Sequence, residues 1–575
     1  MLCMALMETL GVASIMPFVS VLATPQVVET NSYLASIYEY LGYTDEKHFL
    51  FFLGVVVLTV FITALIFKAL THYAIARFSF MRLHSISCRL LGAYMRQPYE
   101  LFLTRNTADL GKAVLSEVQQ VTSNVLLPLL KVLSGSLVAA AILLFLLAVE
   151  PVLSLAVGVI LGGSYLFIYL IARNVLKNIG RDRLHANQQR FVLANEALSG
   201  IKELRILGRE EAYLDRFRDA SERFARHHAT NQLIGVLPQF GIQAVAFGGI
   251  LVLVLYLLGR YGGLEGALPV IAVYAFAGYR LMPAFQEVFK NLAQLRFSLP
   301  ALDALCEDLS RKEDNALRGK TEQGESERLF SGSIRLRNLS YRYPGGERPS
   351  IQSLSLEIPA GTSAAFVGST GAGKSTLVDI ILGLLEPVEG EIHIGEKILK
   401  GSNIRAWQRN VGYVPQSIYL VDDTVTANIA FGVPEEFVEV AAVQRAARTA
   451  HIHEFIVNQL PKGYDTIVGE RGIRLSGGQR QRLAIARALY HDPGVVVLDE
   501  ATNALDSATE AAVMEAIEEL HGRKTVILIA HRLSTVRNCD RIYLLEYGSL
   551  QSEGTYAELM SYSEPFRSLV RAAGE

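Results

Sequence analysis

Long apolar runs fill the first half of the chain, whereas shorter apolar segments alternate with polar ones in the second half. Six of the runs are each long enough to cross about 30 Å of hydrocarbon as a helix. They lie near residues 1–24, 50–76, 122–148, 152–173, 233–259 and 266–289. Only the turn at Glu150 and Pro151 separates the third run from the fourth, so these two are predicted to form a helical hairpin. We predict an α-helical membrane domain over residues 1–307, a linker over 308–330 and an α/β domain over 331–575.

Basic residues flank the apolar runs unequally. Segment 77–112 carries six Arg or Lys residues and only two acidic ones, and segment 173–228 is also rich in Arg and Lys. Segment 25–46 carries four acidic residues and neither Lys nor Arg. Because cytoplasmic loops carry the excess of positive charge, the first two segments are predicted to be cytoplasmic and segment 25–46 external.

The cytoplasmic segments are predicted to extend the membrane helices as helices and to reverse near residues 97–100 and 208–211. An ordinary charged face in contact with solvent is the alternative interpretation. The first basic residue of the chain is Lys47, and no basic segment followed by a small-residue cleavage site indicates a signal peptide. Because an apolar helix begins directly at Met1, we expect a late start codon or a truncation.

Composition excludes some classes of function. The mean hydropathy of +0.28 is an average over two unlike halves. A formal net charge of −2, with no basic patch interleaved with aromatic residues, argues against general nucleic-acid binding. The four cysteines show neither C-x-x-C nor zinc spacing, so they imply no metal site and no disulfide framework.

A glycine-rich segment in the second half has the chemistry of a phosphate-binding loop. Residues 368–375 read GSTGAGKS, which fits G-x-x-x-x-G-K-[ST], and they follow the apolar stretch Ala364–Val367. In such a loop the backbone amides surround a triphosphate, Lys374 reaches the outer phosphates, and the Ser375 hydroxyl holds Mg²⁺. A lone loop of this kind is also compatible with a simple tight turn. The predicted nucleotide contacts are Gly368, Ser369, Thr370, Gly371, Ala372, Gly373, Lys374, Ser375 and Thr376.

Two further motifs follow the loop in a fixed order. Residues 475–479 read LSGGQ, and residues 495–500 read VVVLDE, a buried-strand pattern that ends in two carboxylates. The three motifs together resemble the ATPase domain of ABC transporters. This resemblance implies ATP and Mg²⁺ as cofactors, and an α/β P-loop nucleotide-binding domain fused to a six-span membrane domain.

The resemblance also implies roles for residues outside the loop. Tyr343 matches the residue that stacks on adenine, and Gln416 matches the glutamine that joins the Mg²⁺ shell. Asp499 matches the carboxylate that orients Mg²⁺ through water, and Glu500 matches the general base. His531 matches the histidine that contacts the γ-phosphate. Catalysis then depends on positioning and on charge neutralisation.

The LSGGQ motif predicts the oligomeric state. In ABC transporters its helix points at the γ-phosphate bound by the other protomer, and helix N-termini favour anions. Ser476, Gly477, Gly478 and Gln479 are therefore assigned to the nucleotide site, and the resemblance also implies a role there for Asp506, in the loop after Glu500. The chain has one copy of each motif, so neither of two composite sites is complete within it. A homodimer is expected.

Three stretches narrow the resemblance. Residues 413–423, 8–18 and 200–210 look less like multidrug exporters than like the flippase of bacterial protein N-glycosylation. That resemblance implies a polyprenyl-pyrophosphate-linked oligosaccharide as substrate and the bacterial inner membrane as location. An exporter of hydrophobic drugs, peptides or other lipids is the alternative. A non-transporting ABC ATPase is a third hypothesis, which the six runs disfavour.

Candidate substrate contacts lie in two places. Leu34, Ile37, Tyr38 and Leu41 recur at helical spacing in the external segment, with Ser32 as predicted N-cap and Gly42 as predicted stop, and Leu34, Ile37 and Leu41 are the substrate candidates. The flippase uses such an external helix to engage the polyprenyl tail, whereas a helix that merely caps the bundle is the alternative.

The other candidates are cationic. Arg260 and Arg280 offer bidentate geometry to a pyrophosphate, and ionisable residues within spans are often functional. The alternative for Arg280 is an ion pair with Glu287 or Glu8 inside the bundle, or snorkelling of its side chain to the interface.

Overall fold

A computed structural model describes residues 1–43, 45–105, 107–261, 264–316, 332–401, 403–499, 514–530 and 532–572. The chain divides into two compact units. The first comprises Met1–Gln97 and Arg105–Leu317, and the second comprises Pro98–Thr104 and Arg318–Glu575.

The described residues of the first unit form helices joined by short turns. A nearly continuous helical stretch runs from Thr107 to Val149, because the π-helical turns Ala113–Glu117 and Thr122–Leu126 join its three α-helical pieces. The helices are α1 (Leu2–Ala13), α2 (Ile15–Ala23), α3 (Val27–Thr30), α4 (Ser32–Tyr40), α5 (Glu46–Met95), α7 (Thr107–Lys112), α8 (Val118–Val121), α9 (Leu127–Val149), α10 (Pro151–Ser199), α11 (Ile201–Leu207), α12 (Glu210–Tyr261) and α13 (Leu264–Ala316), while α6 (Glu100–Thr104) belongs to the second unit.

Four helical segments of the described chain are long and apolar enough to cross a membrane. They are Leu2–Ala23, Glu46–Met95, Asp109–Val149 and Pro151–Ser199, and they correspond to the first four predicted runs. The fifth and sixth runs lie in α12 and α13, and that these helices cross the membrane stays a prediction. At 52 and 53 residues, these two helices far exceed the about 20 residues that a span needs. The segments 77–112 and 173–228, predicted to extend the spans as helices, are largely helical, since they fall mostly within α5, α10 and α12.

The turns between helices agree with the sequence except at two places. Helix α9 ends at Val149 and α10 begins at Pro151, which confirms the hairpin. The second reversal is confirmed at Gly208, which adopts a left-handed conformation after α11. Ser32 is not the N-cap of α4, because the side chain of Asn31 accepts the amide hydrogen bonds there. Helix α13 continues to Ala316, so the helix ends beyond position 307, where the membrane domain was predicted to stop.

The second unit contains two sheets. Four strands form an antiparallel sheet of order β2-β1-β4-β5, and six form a sheet of order β10-β9-β3-β8-β7-β6. The strands are β1 (Ile334–Tyr341), β2 (Ile351–Ile358), β3 (Ser363–Val367), β4 (Glu389–Ile394), β5 (Lys397–Ile398), β6 (Val411–Val414), β7 (Val495–Asp499), β8 (Thr525–Ile529), β9 (Arg541–Glu546) and β10 (Ser549–Gly554). Every residue of β3, β7 and β8 is buried, as expected for parallel strands covered on both faces.

Helices surround these sheets. After the phosphate-binding loop comes α14 (Lys374–Ile381), and the LSGGQ motif leads into α19 (Gly477–Leu489). The other helices of known bounds are α15 (Ile404–Gln408), α16 (Val425–Ile429), α17 (Val440–Thr449), α18 (His453–Gln459), α20 (Tyr556–Tyr562) and α21 (Glu564–Ala572).

A glycine permits the close approach of two long helices in the first unit. A Cβ atom at Gly180 of α10 would collide with the carbonyl oxygen of Phe297 on α13 and lie 3.0 Å from its carbonyl carbon. Backbone atoms cannot move aside as a flexible side chain can. By contrast, a Cβ at Gly163 of the same helix would meet nothing within 4 Å.

We expect Gly180→Ala to lower the midpoint of thermal unfolding in detergent by several degrees, because overpacking of this kind costs about 1–3 kcal/mol. Gly163→Ala is the matched control, and it should leave the midpoint unchanged or raise it, since Ala favours helix over Gly by about 1 kcal/mol. An equal effect of the two substitutions would contradict the close approach of α10 and α13.

Candidate active site

Four parallel strands bring the predicted motifs to one edge of the six-stranded sheet. Strand β3 pairs in parallel with β8, β8 with β7, and β7 with β6. The carboxyl ends of parallel strands lie at the same edge, which is where α/β sheets bind ligands. The phosphate-binding loop follows β3, Asp499 ends β7, and Gln416 follows β6 by one intervening residue. Motifs distant in sequence are therefore neighbours at this edge.

The phosphate-binding loop needs glycine at its two ends. Gly368 and Gly373 have φ angles of 149° and 97°, which L side chains rarely adopt. A Cβ at Gly373 would lie 2.6 Å from the carbonyl oxygen of Ser350, and one at Gly368 would collide with the carbonyl oxygen of Leu545. The loop is thus a backbone cradle of the kind that surrounds phosphate oxygens with amide groups.

The lysine of the loop is buried within it. Lys374 is 5% exposed, and its Nζ donates to the carbonyl oxygens of Gly368 at 2.8 Å and Ser369 at 3.0 Å. The ammonium group therefore lies inside the cradle, and its charge favours an anion there. Ser375 and Thr376 follow in the first turn of α14, at a helix N-terminus where the backbone dipoles add to the same preference.

Asp499 lies among groups that the sequence did not single out. It is 8% exposed, and the Tyr413 hydroxyl donates to its Oδ2 at 3.5 Å. Burial, and then the neighbouring Asp499 carboxylate, raise the pKa of Asp379 to about 6. Asp379 follows Ser375 by one helical turn and so shares its face of α14, a spacing that could have revealed it. Hydroxyl, carboxylate and amide oxygens of Ser375, Asp499 and Gln416 are the hard ligands that Mg²⁺ prefers.

Tyr343 lies beside the first turn of α14. Its hydroxyl is 3.1 Å from the hydroxyl of Thr376, and its ring stands perpendicular to the ring of Tyr341 at 5.1 Å. The buried Tyr341 hydroxyl in turn donates to Glu100 Oε1 at 2.8 Å. Burial, and then this hydrogen bond, raise the pKa of Tyr341. Helix α6, which begins at the first predicted reversal, therefore packs within the second unit next to the adenine-stacking candidate.

The LSGGQ motif forms an exposed helix N-terminus. Ser476 is the N-cap of α19, its Oγ accepts from the Gln479 amide at 3.3 Å, and its own amide donates to Gln479 Oε1 at 2.8 Å. Both side chains thus stabilise the helix start. Ser476 and Gly477 are exposed, so the positive end of the helix dipole faces outward and an anion can reach it.

Three predicted site residues fall outside the described part of the chain. They are the general-base candidate Glu500, the γ-phosphate candidate His531, and Asp506. Their predicted roles stay predictions.

The candidate substrate contacts do not share one environment. Leu34 is buried at 8% exposure in a cluster with Val21, Val28, Phe49 and Leu53, so it packs inside the unit, and its contact with a substrate stays a prediction. Ile37 and Leu41 remain 44% and 42% exposed. Pattern alone could not separate them, because helical spacing identifies a face and not what covers it.

Of the two candidate arginines, only Arg280 has a described side chain. Its Nη1 lies 2.8 Å from Glu8 Oε2, which confirms the ion pair with Glu8 that was one of the alternatives. Arg280 also lines a cavity of about 180 Å³. The side chain of Arg260 lies outside the described part of the chain.

Comparisons with known proteins agree with this arrangement. Residues 3–291 match the family described as ABC transporter transmembrane region, and residues 351–503 match the family described as ABC transporter. An ATP-dependent lipid A-core flippase of Cupriavidus pinatubonensis is 32% identical over 473 residues, 82% of this chain and 79% of that protein. The protein of the same name in Escherichia coli K12 is 30% identical over 535 residues, 91% of this chain and 88% of that protein.

A solved structure is similar over the whole chain. A bacterial Atm1-family ABC exporter with ATP bound superposes with a TM-score of 0.76 and covers 100% of this chain and 98% of that one. At 23% identity, this similarity concerns the fold alone.

We expect Lys374→Ala to weaken binding of Mg-ATP by at least about tenfold, because a contact to a charged group contributes about 1.5–3 kcal/mol. Equilibrium binding of a fluorescent ATP analogue at fixed Mg²⁺ measures it. Lys400→Ala is the matched control, since Lys400 is an exposed lysine paired with Glu391 in the same unit. Equal affinity of wild type and Lys374→Ala would remove Lys374 from the site.

Proposed function

Because this chain belongs to the ABC transporter family, as an exporter-type half-transporter with a membrane domain and an ATPase domain, we propose that it moves a lipid-linked anionic substrate across a bacterial inner membrane. ATP hydrolysis drives the transport, as in the family to which it belongs. The proposed substrate is a polyprenyl-pyrophosphate-linked oligosaccharide. The relatives support a lipid by their name, lipid A-core flippase.

The observation that carries the proposal is a buried cation beside a cavity. Arg280 lies on α13 with a side chain only 9% exposed, and it lines the cavity of about 180 Å³. Charged residues among membrane helices are costly to bury, and those that persist commonly contact substrate. A guanidinium presents paired donors that match phosphate oxygens, so a pyrophosphate group fits the charge of this site.

A second feature suits the lipid part of such a substrate. Helix α4, in the segment predicted to be external, exposes Ile37 together with Tyr33 and Tyr40, which are 82% and 90% exposed. Leu41, directly after the helix, is also exposed. These side chains together offer an apolar and aromatic surface to a polyprenyl chain, whereas Leu34 anchors the helix from below.

In the ATPase domain, we propose a separate role for each of the motif residues. Backbone amides of the loop and Lys374 bind the phosphates, and Tyr343 stacks on the base. Mg²⁺, when bound, neutralises charge that develops on the phosphate oxygens. Ser375, Asp499 and Gln416 are the residues that would hold the ion.

The remaining proposed roles concern the reaction and its second protomer. Glu500 takes a proton from the attacking water, and His531 orients the γ-phosphate. Ser476 and Gly477 offer their exposed helix end to a nucleotide on another chain. We therefore propose a homodimer with two composite sites.

The substrate is tested by reconstitution of the protein in liposomes with a labelled polyprenyl-pyrophosphate oligosaccharide. Appearance of the label at the opposite leaflet is read by an externally added glycosidase. We expect ATP-dependent movement in the wild type. If the lipid is not moved and hydrophobic drugs instead stimulate ATP hydrolysis, the chain is a drug exporter and the flippase proposal is wrong.

We expect the double substitution Ile37→Ser and Leu41→Ser to lower oligosaccharide transport per ATP hydrolysed by about tenfold or more, because burial of one such side chain against a tail contributes about 1.5–3 kcal/mol. Ser36→Ala, an exposed change on the same helix, is the matched control. Unchanged transport by the double variant would leave α4 a capping helix only.

The homodimer is tested with mixed protomers. One carries Lys374→Ala and the other Ser476→Arg, and each alone should be inactive. With random pairing, about half of the dimers are heterodimers, and each heterodimer has one intact site of its two. About a quarter of the wild-type ATPase rate should therefore return. A mixture of Lys374→Ala with Lys374→Ala/Ser476→Arg contains no intact site and should stay inactive. No recovery in the first mixture would contradict composite sites.

A further inference from the structure

A buried carboxylate is paired with Arg280, the cation that lines the cavity. Glu8 on α1 is 2% exposed, and an ionised group so buried is costly unless it is compensated. Its Oε2 lies 2.8 Å from Arg280 Nη1, and its Oε1 lies 3.4 Å from Lys68 Nζ. One carboxylate from α1 is thus shared by cations from α5 and α13.

The three charged groups face a common space. Glu8, Lys68 and Arg280 line the same cavity of about 180 Å³, several times the about 30 Å³ that a water molecule occupies in the liquid. His72, Tyr279 and the second carboxylate Glu287 line it as well. The ion pair therefore lies at an open wall, where a ligand can reach both partners.

The hydrogen bonding of this ion pair is incomplete. Within the described part of the chain, neither Glu8 oxygen accepts a well-directed hydrogen bond, and Arg280 Nε has no acceptor. The charges attract, but the donor capacity of the guanidinium is only partly used. A phosphate group, with three acceptor oxygens, can align with such a fork better than this carboxylate does.

Arg280 does not depend on Glu8 for its position. Its guanidinium carbon lies 4.9 Å from the ring centre of Phe61 and 5.7 Å from that of Phe276. The faces of aromatic rings attract a cation, and this attraction does not depend on which anion lies next to the cation. If Glu8 leaves, the guanidinium stays where it is and can accept another anion.

We infer that Glu8 is an internal competitor of the substrate, which neutralises Arg280 when the cavity is empty and takes it back when the anionic headgroup departs. The inference rests on the proposed function, since it concerns the headgroup of the same lipid-linked substrate. Because Glu8 and the headgroup compete for Arg280, the Glu8–Arg280 ion pair both weakens binding of the headgroup and speeds its release. A transporter needs both, because a headgroup bound too tightly is not let go.

The test separates binding from release. Protein in liposomes is titrated with polyprenyl pyrophosphate, and both the concentration for half-maximal stimulation of ATP hydrolysis and the maximal transport rate are measured. For Glu8→Gln we expect the half-stimulating concentration to fall by about tenfold, the size of one contact to a charged group, and the maximal transport rate to fall with it. Uncharged polyprenol should act on wild type and variant alike.

A matched control removes the same charge from the same cavity. Glu287→Gln loses a carboxylate that lines the space but is not the one paired with Arg280. If Glu8 acted only through the total charge of the cavity, both substitutions would lower the half-stimulating concentration by the same factor. The inference requires a clearly larger shift for Glu8→Gln.

A second variant, Glu8→Asp, tests whether the effect of Glu8→Gln comes from misfolding. Glu8→Asp keeps the charge, lengthens its contact to Arg280, and should shift the half-stimulating concentration in the same direction by a smaller factor. An unchanged or increased half-stimulating concentration in Glu8→Gln or Glu8→Asp would overturn the inference and make Glu8 a residue that positions Arg280. A wild-type protein that does not respond to polyprenyl pyrophosphate would instead overturn the proposed function, and the inference with it.

Discussion

Parallel pairing of four strands is the constraint on which the candidate active site depends. Phe366 of β3 lies opposite Ile529 of β8, and Asp499 of β7 lies opposite the same residue from the other side. Because all four strands run in one direction, every motif that follows a strand emerges at the same edge. The hydrophobic burial of these strands therefore does more than stabilise the unit: it determines which polar residues become neighbours.

A second constraint acts in the helical unit, where charge must be compensated without water. Two buried arginines of the described helices lie against an aromatic ring with a carboxylate nearby, Glu8 for Arg280 and Glu117 for Arg183. Arg280 lies over Phe61 and beside Glu8, and the fully buried Arg183 lies 5.5 Å from the ring of Phe297. Removing the carboxylate of such a group costs free energy, and the contact of the arginine with the ring offsets part of that cost. These groups are therefore sensitive points of the unit.

The two units would bind phosphate groups through different chemical groups, backbone amides in one and a charged side chain in the other. The loop after β3 presents neutral backbone amides shaped by glycine, and such dipoles need no counter-ion when the site is empty. A guanidinium among apolar helices cannot be left without an anion. On the proposed function, this difference explains why the membrane cavity contains its own carboxylate.

Much of this architecture followed from the sequence. Hydropathy predicted six apolar runs, four of which the structure contains in helical segments long and apolar enough to cross a membrane, and the loop, LSGGQ and strand motifs indicated the ATPase domain. These features are local, since a span, a glycine-dependent turn or a capped helix is encoded by residues adjacent in the chain. Glycine at Gly368 and Gly373 is such a case, because the backbone there requires it.

Contacts between distant residues were decided only by tertiary structure. The sequence left Arg280 with several possible partners, and packing of α1 against α13 selected Glu8. Leu34 and Ile37 have the same spacing pattern, yet the fold buries one and exposes the other. Asp379 and Tyr413 approach Asp499 only because their helix and strand meet at one sheet edge. Periodicity specifies which face a side chain occupies, whereas what that face meets depends on where the rest of the chain packs.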